Sequence, residues 1–278
     1  MTAPAPAQAV ARVLVNQRLT NEIHEIHLRL PLDWGPALPG QFVMLECPPA
    51  ELFGLRRPFS LSACRRTDLG VDLEIVYGAV GLRTRALARL RPGDRVELSG
   101  PFGRPFTRLP GRVPVLVAGG RGIAPILMLA EAWAPEEPHG LLLYGVRHQA
   151  QLVPVLQPPY PLHVATDDGS EGFRGTVIAL LDELCLTGVV RREECALYAC
   201  GPNRMLAALA AWAAPRRVPC LVSLETHFGC GLGICAGCAV PVRPRPGEAG
   251  DAFHRYAFAC VDGPVMDATR VEWEGLAE

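Results

Sequence analysis

Cys230, Cys235 and Cys238 are separated by four and then two residues, and Cys260 follows further along the chain. This C-x4-C-x2-C…C spacing suits a 2Fe–2S cluster, with a tight loop supplying three thiolates and a distant cysteine the fourth. Gly229, Gly231, Gly233 and Gly237 fit the same chemistry. They let the backbone curl around a metal centre and aim N–H groups at its sulfurs. A structural zinc site with four cysteine ligands is the competing reading, and leaves a redox-silent binding module. Zinc ribbons usually present two C-x2-C pairs, and here there is one. The other six cysteines, Cys47, Cys64, Cys185, Cys195, Cys200 and Cys220, are scattered on apolar stretches and read as buried packing residues.

The cluster segment is too short to build a large core, but the whole chain of 278 residues has room for two or three modules. Its hydrophobic content of 49% supports sizeable cores. A net charge of −1 offers no surplus to neutralise phosphates, so nucleic acid is not an expected partner. There is no lysine, and all 27 basic residues are arginine. That excludes a Schiff-base lysine, pyridoxal phosphate catalysis and a P-loop; the arginine bias also fits GC-rich coding. Residues 1–11 are rich in alanine and proline without an apolar h-region, so no signal peptide is expected. The most apolar stretch, residues 113–134, is interrupted by Gly119, Gly120, Arg121 and Gly122, so no membrane span is expected either. Ten cysteines without a secretory signal point to reduced or metal-bound thiols in the cytoplasm.

Three segments differ in rhythm. Up to about Arg108 the chain reads as short strands at residues 25–30, 41–47, 58–63, 71–77 and 95–99, the pattern of a small β-barrel or sandwich. Residues 82–90 read as a helix with Leu82, Ala86, Leu87 and Leu90 on one face, stopped by Pro92-Gly93-Asp94. From about 111 to 219, apolar runs at 113–118, 141–146, 162–165 and 196–200 alternate with helical stretches at 124–133, 176–184 and 203–212. That alternation predicts a parallel sheet covered on both faces.

Two further motifs suit nucleotide cofactors. In Arg57-Pro58-Phe59-Ser60 a guanidinium can clamp a diphosphate, a ring can lie on an isoalloxazine and a hydroxyl can reach a flavin nitrogen. The same residues also read as a surface charge and an ordinary strand. Val76-Tyr77-Gly78 and the Gly81-x-x-Thr84 helix start strengthen the FAD reading, because a helix N-terminus can seat the pyrophosphate. Gly119, Gly120 and Gly122 join a strand to a helix, as a dinucleotide phosphate site requires or as a plain tight connection would. Cys200-Gly201-Pro202 and Thr166-Asp167-Asp168-Gly169-Ser170 end two more strands at the same sheet edge, where open α/β sheets bind ligands. Arg147 follows another strand; it suits a 2′-phosphate or a solvated loop, which leaves NAD and NADP both open.

Together these stretches resemble the ferredoxin–NAD(P) reductase superfamily, and within it the electron-transfer subunits of NAD-dependent (type B) dihydroorotate dehydrogenases. The resemblance runs through RRPFSLS (56–62), GPFG (100–103), AGGRGIAP (118–125), TDDGS (166–170), ACGP (199–202), SLETHFGCGLGICAGC (223–238) and CVDGPVMDA (260–268). It implies a multidomain β and α/β architecture. An N-terminal FAD-binding β-barrel would cover residues 1–108, a doubly wound parallel-sheet NAD-binding domain 109–219, and a C-terminal 2Fe–2S cluster domain 220–278. It further implies FAD contacts at Arg57, Pro58, Phe59, Ser60, Val76, Tyr77, Gly78, Arg83 and Thr84, and cluster ligation by Cys230, Cys235, Cys238 and Cys260. NAD(H) would be the co-substrate, and the partner an FMN-containing catalytic subunit in a heterotetramer with two of each chain. Electrons from dihydroorotate would pass from FMN through 2Fe–2S and FAD to NAD+, in pyrimidine biosynthesis, and the isolated chain could not oxidise dihydroorotate. Two positions depart from the family pattern: Gly78 stands where arginine is frequent, and Arg83 where glycine is frequent. The stretch between Cys238 and Cys260, with its Arg243-Pro244-Arg245-Pro246-Gly247 segment, reads as an enlarged surface loop. A related layout occurs in the small subunits of ferredoxin-dependent NADP reductases and sulfide dehydrogenases, which often place an aspartate among the cluster ligands.

Overall fold

The computed structural model describes residues 6–48, 56–155, 157–244 and 255–276. Part of the loop expected between Cys238 and Cys260, from residue 245 to 254, lies outside the described residues.

The first sheet contains β1 (Ala7–Arg18), β2 (Ile23–Leu30), β3 (Phe42–Leu45), β4 (Arg57–Ser60), β5 (Ala63–Thr67), β6 (Gly70–Gly78) and, after helix α1 (Leu82–Leu87), β7 (Arg95–Phe102). Every pairing is antiparallel, in the order β4-β3-β7-β1-β2-β6-β5. Period-two patterning sets which face is buried: Ile26, Leu28 and Leu30 of β2 are at most 1% exposed. They meet Val43, Leu45, Leu73 and Ile75 in one apolar cluster, each such side chain contributing about 1.5–3 kcal/mol when fully buried.

Three local expectations differ from what forms. β1 is a twelve-residue strand where only an alanine- and proline-rich terminus was expected. Only Ala11 and Val13 along it are fully buried, so its sequence carries little alternation. The single strand expected at 58–63 is two, β4 and β5, because the Ser62 N–H turns to donate to the Glu74 carbonyl. The helix expected at 82–90 ends at Leu87, with Leu82 70% exposed. Asn16 Nδ2 donates to the carbonyls of both Leu87 and Leu90 at 2.9 Å, capping the chain as it leaves the helix.

The second sheet is built from β8 (Val113–Gly119), α2 (Ile123–Trp133), β9 (Leu141–Val146), β10 (Leu162–Thr166), β11 (Phe173–Arg174), α3 (Val177–Leu186), β12 (Cys195–Cys200), α4 (Asn203–Arg216) and β13 (Cys220–Ser223). Its strands are parallel in the order β11-β10-β9-β8-β12-β13. After β14 (Ala239–Pro241) and β15 (Tyr256–Phe258), which pair with each other, β16 (Val265–Asp267) adds an antiparallel edge beside β13. β13 and β16 were not anticipated; strands of four and three residues show no readable period. They matter, because the cysteine loop leaves the sheet from β13 and returns through β16. Leu224 N–H donates to the Pro264 carbonyl at 3.0 Å, tying the two ends together. Among the described residues no helix is long and apolar enough to cross a membrane.

The two sheets are joined by charge as well as packing. Arg65 of β5 pairs with Glu74 and, at 2.8 Å, with Glu131 of α2. On the same face His27 Nε2 lies 3.2 Å from Glu25 Oε2. Glu25 holds the His27 pKa above its ordinary 6.5, and His27 holds the Glu25 pKa below its ordinary 4.5. The pair is therefore fully stabilising between those ordinary values. It weakens as pH rises through the raised histidine pKa, and again as pH falls through the lowered glutamate pKa. Replacing His27 with asparagine should lower stability by a few tenths of a kcal/mol near pH 5.5, solvent screening holding the effect small, and by almost nothing near pH 8.5. Denaturant titration at both pH values checks this.

Candidate cluster, flavin and nicotinamide sites

The cysteine loop runs from Leu224 to Cys238 between β13 and β14. Gly231 and Gly233 both take positive φ, +74° and +75°, which closes the loop tightly. Its amides point at sulfur: Leu232 N lies 3.3 Å and Cys235 N 3.5 Å from Cys230 Sγ, and Gly233 N lies 3.2 Å from Cys260 Sγ. Those amides pull the Cys230 thiol down to about 6, whereas burial and the neighbouring Cys238 push Cys260 up to about 12. Cys238 and Cys260 are each 2% exposed and their sulfurs are 3.1 Å apart, while Cys230 is half-buried and Cys235 exposed. Among the described residues, no three of these sulfurs lie within 4.8 Å of one another. A single zinc ion about 2.3 Å from each sulfur would draw all four together. One close inner pair with two outer thiols fits a binuclear centre with a pair of ligands on each iron.

The same loop borders a second feature. A cleft of about 250 Å³ opens between the two sheets, lined on the barrel side by Pro58, Phe59, Ser60, Val76, Tyr77, Gly78 and Thr84. Leu224, Glu225, Thr226, Phe228 and Pro264 line the side facing the cluster loop. Phe228, two residues before Cys230, stacks on Phe42 with centroids 4.8 Å apart. Gly231 packs against Met44 of the same strand as Phe42; a Cβ there would sit 2.9 Å from Met44 Cγ. The cleft is thus lined by aromatic rings, as suits an isoalloxazine, and shares a wall with the sulfur loop. Tyr77 presents its ring edge to Phe59, centroids 6.0 Å apart, and its hydroxyl donates to Asn16 Oδ1 at 3.0 Å. Burial pushes that phenol well up, so it is neutral. The Thr84 hydroxyl is held by Gly81, at 3.0 Å from its N–H and 3.2 Å from its carbonyl.

Arg57 and Arg83 do not line this cleft. Both act on the buried Cys47 thiol, and Arg83 Nη1 donates to the Cys47 carbonyl at 3.0 Å.

A larger cavity of about 630 Å³ lies at the C-terminal ends of the parallel strands. Gly119, Gly120, Asp167 and Pro202 line it, with Arg147, Gln151 and Arg204. Gly122, Cys200 and Gly201 are not in its wall and instead hold the loops in contact. A Cβ on Gly122 would fall 2.2 Å from the Cys200 carbonyl oxygen, and one on Gly201 2.7 Å from Met205 Cε and 3.0 Å from Gly119 Cα. Burial pushes the Cys200 thiol strongly up, leaving it an unreactive packing group. A third cavity, lined by Gly120, Arg121, His148 and Gln151 among others, lies beside both clefts. Phe42, Arg121, Glu225, Thr226 and Phe228 are cleft residues that motif reading did not single out. Thr226 and Phe228 lie only four and two residues before Cys230, inside the 223–238 stretch that carries the resemblance, and that placement was the signal for them.

Comparison with known proteins agrees with this layout. Residues 225–272 match the family described as the iron-sulfur cluster binding domain of dihydroorotate dehydrogenase B, and residues 116–211 the oxidoreductase NAD-binding domain. The chain is 34% identical to the dihydroorotate dehydrogenase B (NAD(+)) electron transfer subunit of Caldanaerobacter subterraneus subsp. tengcongensis, over 94% of this chain and 97% of that one. Its identity to the subunit of that name from Bacillus caldolyticus is 35%, over 93% and 96%. Among solved structures, an NADH-dependent reduced ferredoxin-NADP oxidoreductase superposes with a TM-score of 0.77 at 25% identity, covering 96% of this chain and 91% of that one. A ferredoxin reductase of carbazole 1,9a-dioxygenase superposes with a TM-score of 0.64, covering 79% and 68%.

Proposed function

Since the chain belongs to the family of dihydroorotate dehydrogenase B electron-transfer subunits, we propose that it carries electrons from the FMN of a catalytic partner through a 2Fe–2S cluster and FAD to NAD+, in the pyrimidine pathway. The observation that carries this reading is the wall shared by the cluster loop and the flavin cleft, with Phe228 stacked on Phe42 between them. When bound, the cluster handles single electrons and FAD pairs them into the hydride that nicotinamide accepts.

The chain's own residues supply position and environment. Cys230, Cys235, Cys238 and Cys260 would hold the iron, with the amides of Leu232, Gly233 and Cys235 offsetting the negative charge on sulfur. Phe59, Ser60 and the Val76–Gly78 strand end would seat the flavin ring. Arg57 and Arg83 would act as cations beside the cofactor near Cys47. Gly119, Gly120, Asp167 and Pro202 would receive the nicotinamide dinucleotide in the larger cavity, while Gly122, Cys200 and Gly201 fix the shape of its floor. We assign residues 1–108, 109–219 and 220–278 to the FAD, NAD and cluster units, the last anchored on the second sheet through β13 and β16. The reduced thiols of a ten-cysteine chain support a cytoplasmic setting.

The partner surface follows from exposure around the cluster. Ile234 is 80%, Leu232 55% and Val261 47% exposed, and all three surround the cysteines. Apolar side chains displayed together in this way favour a protein interface, and docking here would bring the FMN of the partner towards the cluster. We assign two copies of each subunit to the complex. The test is to purify the chain with and without its FMN subunit and follow dihydroorotate-dependent NAD+ reduction. Activity should require both proteins, and Ile234→Asp should weaken their association by about tenfold or more while leaving NADH oxidation by the isolated chain intact. Orotate formation by the isolated chain would refute the assignment.

A further inference from the structure

Gly78 ends β6 without a side chain, and the space beside it is taken. A Cβ built there would lie 3.2 Å from Arg121 Nη1 and 3.4 Å from Arg121 Cδ. The arginine comes from the other sheet, in the turn between β8 and α2, where Gly120 adopts φ +52°. Of the described residues lining the flavin cleft, only Arg121 and Glu225 carry a formal charge. Among the described residues Arg121 makes no ion pair and no side-chain hydrogen bond. An exposed guanidinium at a cleft wall with its donors open to the cleft is suited to bidentate capture of a phosphate oxygen pair. Arg121 and Val80 both border the space beside Gly78, just before α1, whereas the Phe42–Phe228 stack borders the cluster loop.

We propose that Arg121 binds the diphosphate of FAD from the nicotinamide-binding side, so that one cofactor clamps the two sheets together. This rests on the flavin reading given above. It follows that FAD affinity depends on a residue outside the barrel. Because Arg121 adjoins Gly120 of the dinucleotide cavity, the arrangement of that turn and the retention of FAD are linked. Arg121 also lines the cavity shared with His148 and Gln151, which makes the nicotinamide diphosphate the rival partner for it.

The experiment strips FAD from the full chain and measures rebinding of FAD and of riboflavin by fluorescence, for the wild type, Arg121→Gln and the double variant Gly78→Arg/Arg121→Gln. Arg121→Gln should weaken FAD by about tenfold to a hundredfold and flatten the salt dependence of binding. Riboflavin affinity and the melting temperature of the stripped protein should not change. The double variant should regain most of the lost affinity, because a side chain at position 78 enters the space vacated by the guanidinium. Unchanged FAD affinity overturns the proposal, as does an equal loss for FAD and riboflavin. A raised KM for NADH with FAD binding intact would assign Arg121 to the nicotinamide. Failure of the wild type to bind FAD at all would instead remove the flavin reading, and the proposal with it.

Discussion

Replacing Cys260 with serine should abolish dihydroorotate-dependent NAD+ reduction by the assembled enzyme while leaving NADH oxidation by an artificial acceptor nearly intact. Cys260 and Cys238 form the close inner pair at 3.1 Å, inside an apolar cluster with Val240, Val242 and Ala259. A serine there offers a poorer ligand in a buried site, and the three remaining cysteines leave the cluster one thiolate short. Iron content should fall with activity, and the loss should exceed about a hundredfold, the upper end of what disturbing a metal ligand's surroundings alone costs. In the proposed route hydride passes between flavin and nicotinamide without the sulfurs, so the artificial-acceptor assay should survive. Parallel loss of both activities would mean that the cysteine loop is a fold element of the whole chain, and melting of the variant would show it.

The second large effect is expected at Gly122. Its Cβ position lies 2.2 Å from the Cys200 carbonyl oxygen and 2.6 Å from the Gly201 nitrogen, both backbone atoms of the neighbouring strand end. No flexible side chain can give way there, so Gly122→Ala must push the β8–α2 turn and the Cys200–Pro202 loop apart. We expect a stability loss of about 2–3 kcal/mol and at least a tenfold rise in the KM for NADH. Gly120→Ala is the comparison. Among the described residues nothing beyond its chain neighbours lies within 4 Å of its Cβ position, although φ +52° still strains the backbone, so its packing cost should be absent. Thermal unfolding and steady-state NADH kinetics on the two variants separate packing from backbone conformation.

Much of this arrangement is readable from residue patterns, for identifiable reasons. The parallel strands β8, β9 and β12 are buried on both faces, so each reads as an uninterrupted apolar run, and α2 and α4 follow β8 and β12 directly. The cysteine spacing is legible because metal geometry restricts it more than packing restricts any helix or strand. β1 hides because apolar residues stand at exposed as well as buried positions along it, with Val10 51% exposed, so no period of two shows. β13 and β16 hide because they are short and complete a sheet whose first strand, β8, lies far earlier in the chain. The cleft is the least legible part. Its walls come from β3, β4, β6, the β8–α2 turn and the cysteine loop, and no local pattern encodes that Phe42 meets Phe228 or that Arg121 reaches Gly78. Arg57 illustrates the converse. The motif singles it out, yet it is exposed beside Cys47 and outside the cleft wall.

Anaerobic titration of the reconstituted chain with NADH, followed by electron paramagnetic resonance, tests the central claim most directly. With FAD bound, NADH should produce the signal of a reduced 2Fe–2S cluster, and equal amounts of iron and acid-labile sulfide should be present. The same sample stripped of FAD should give that signal only with dithionite. A colourless protein holding zinc and no sulfide, or an FAD-loaded protein whose cluster responds to dithionite and never to NADH, would contradict the account.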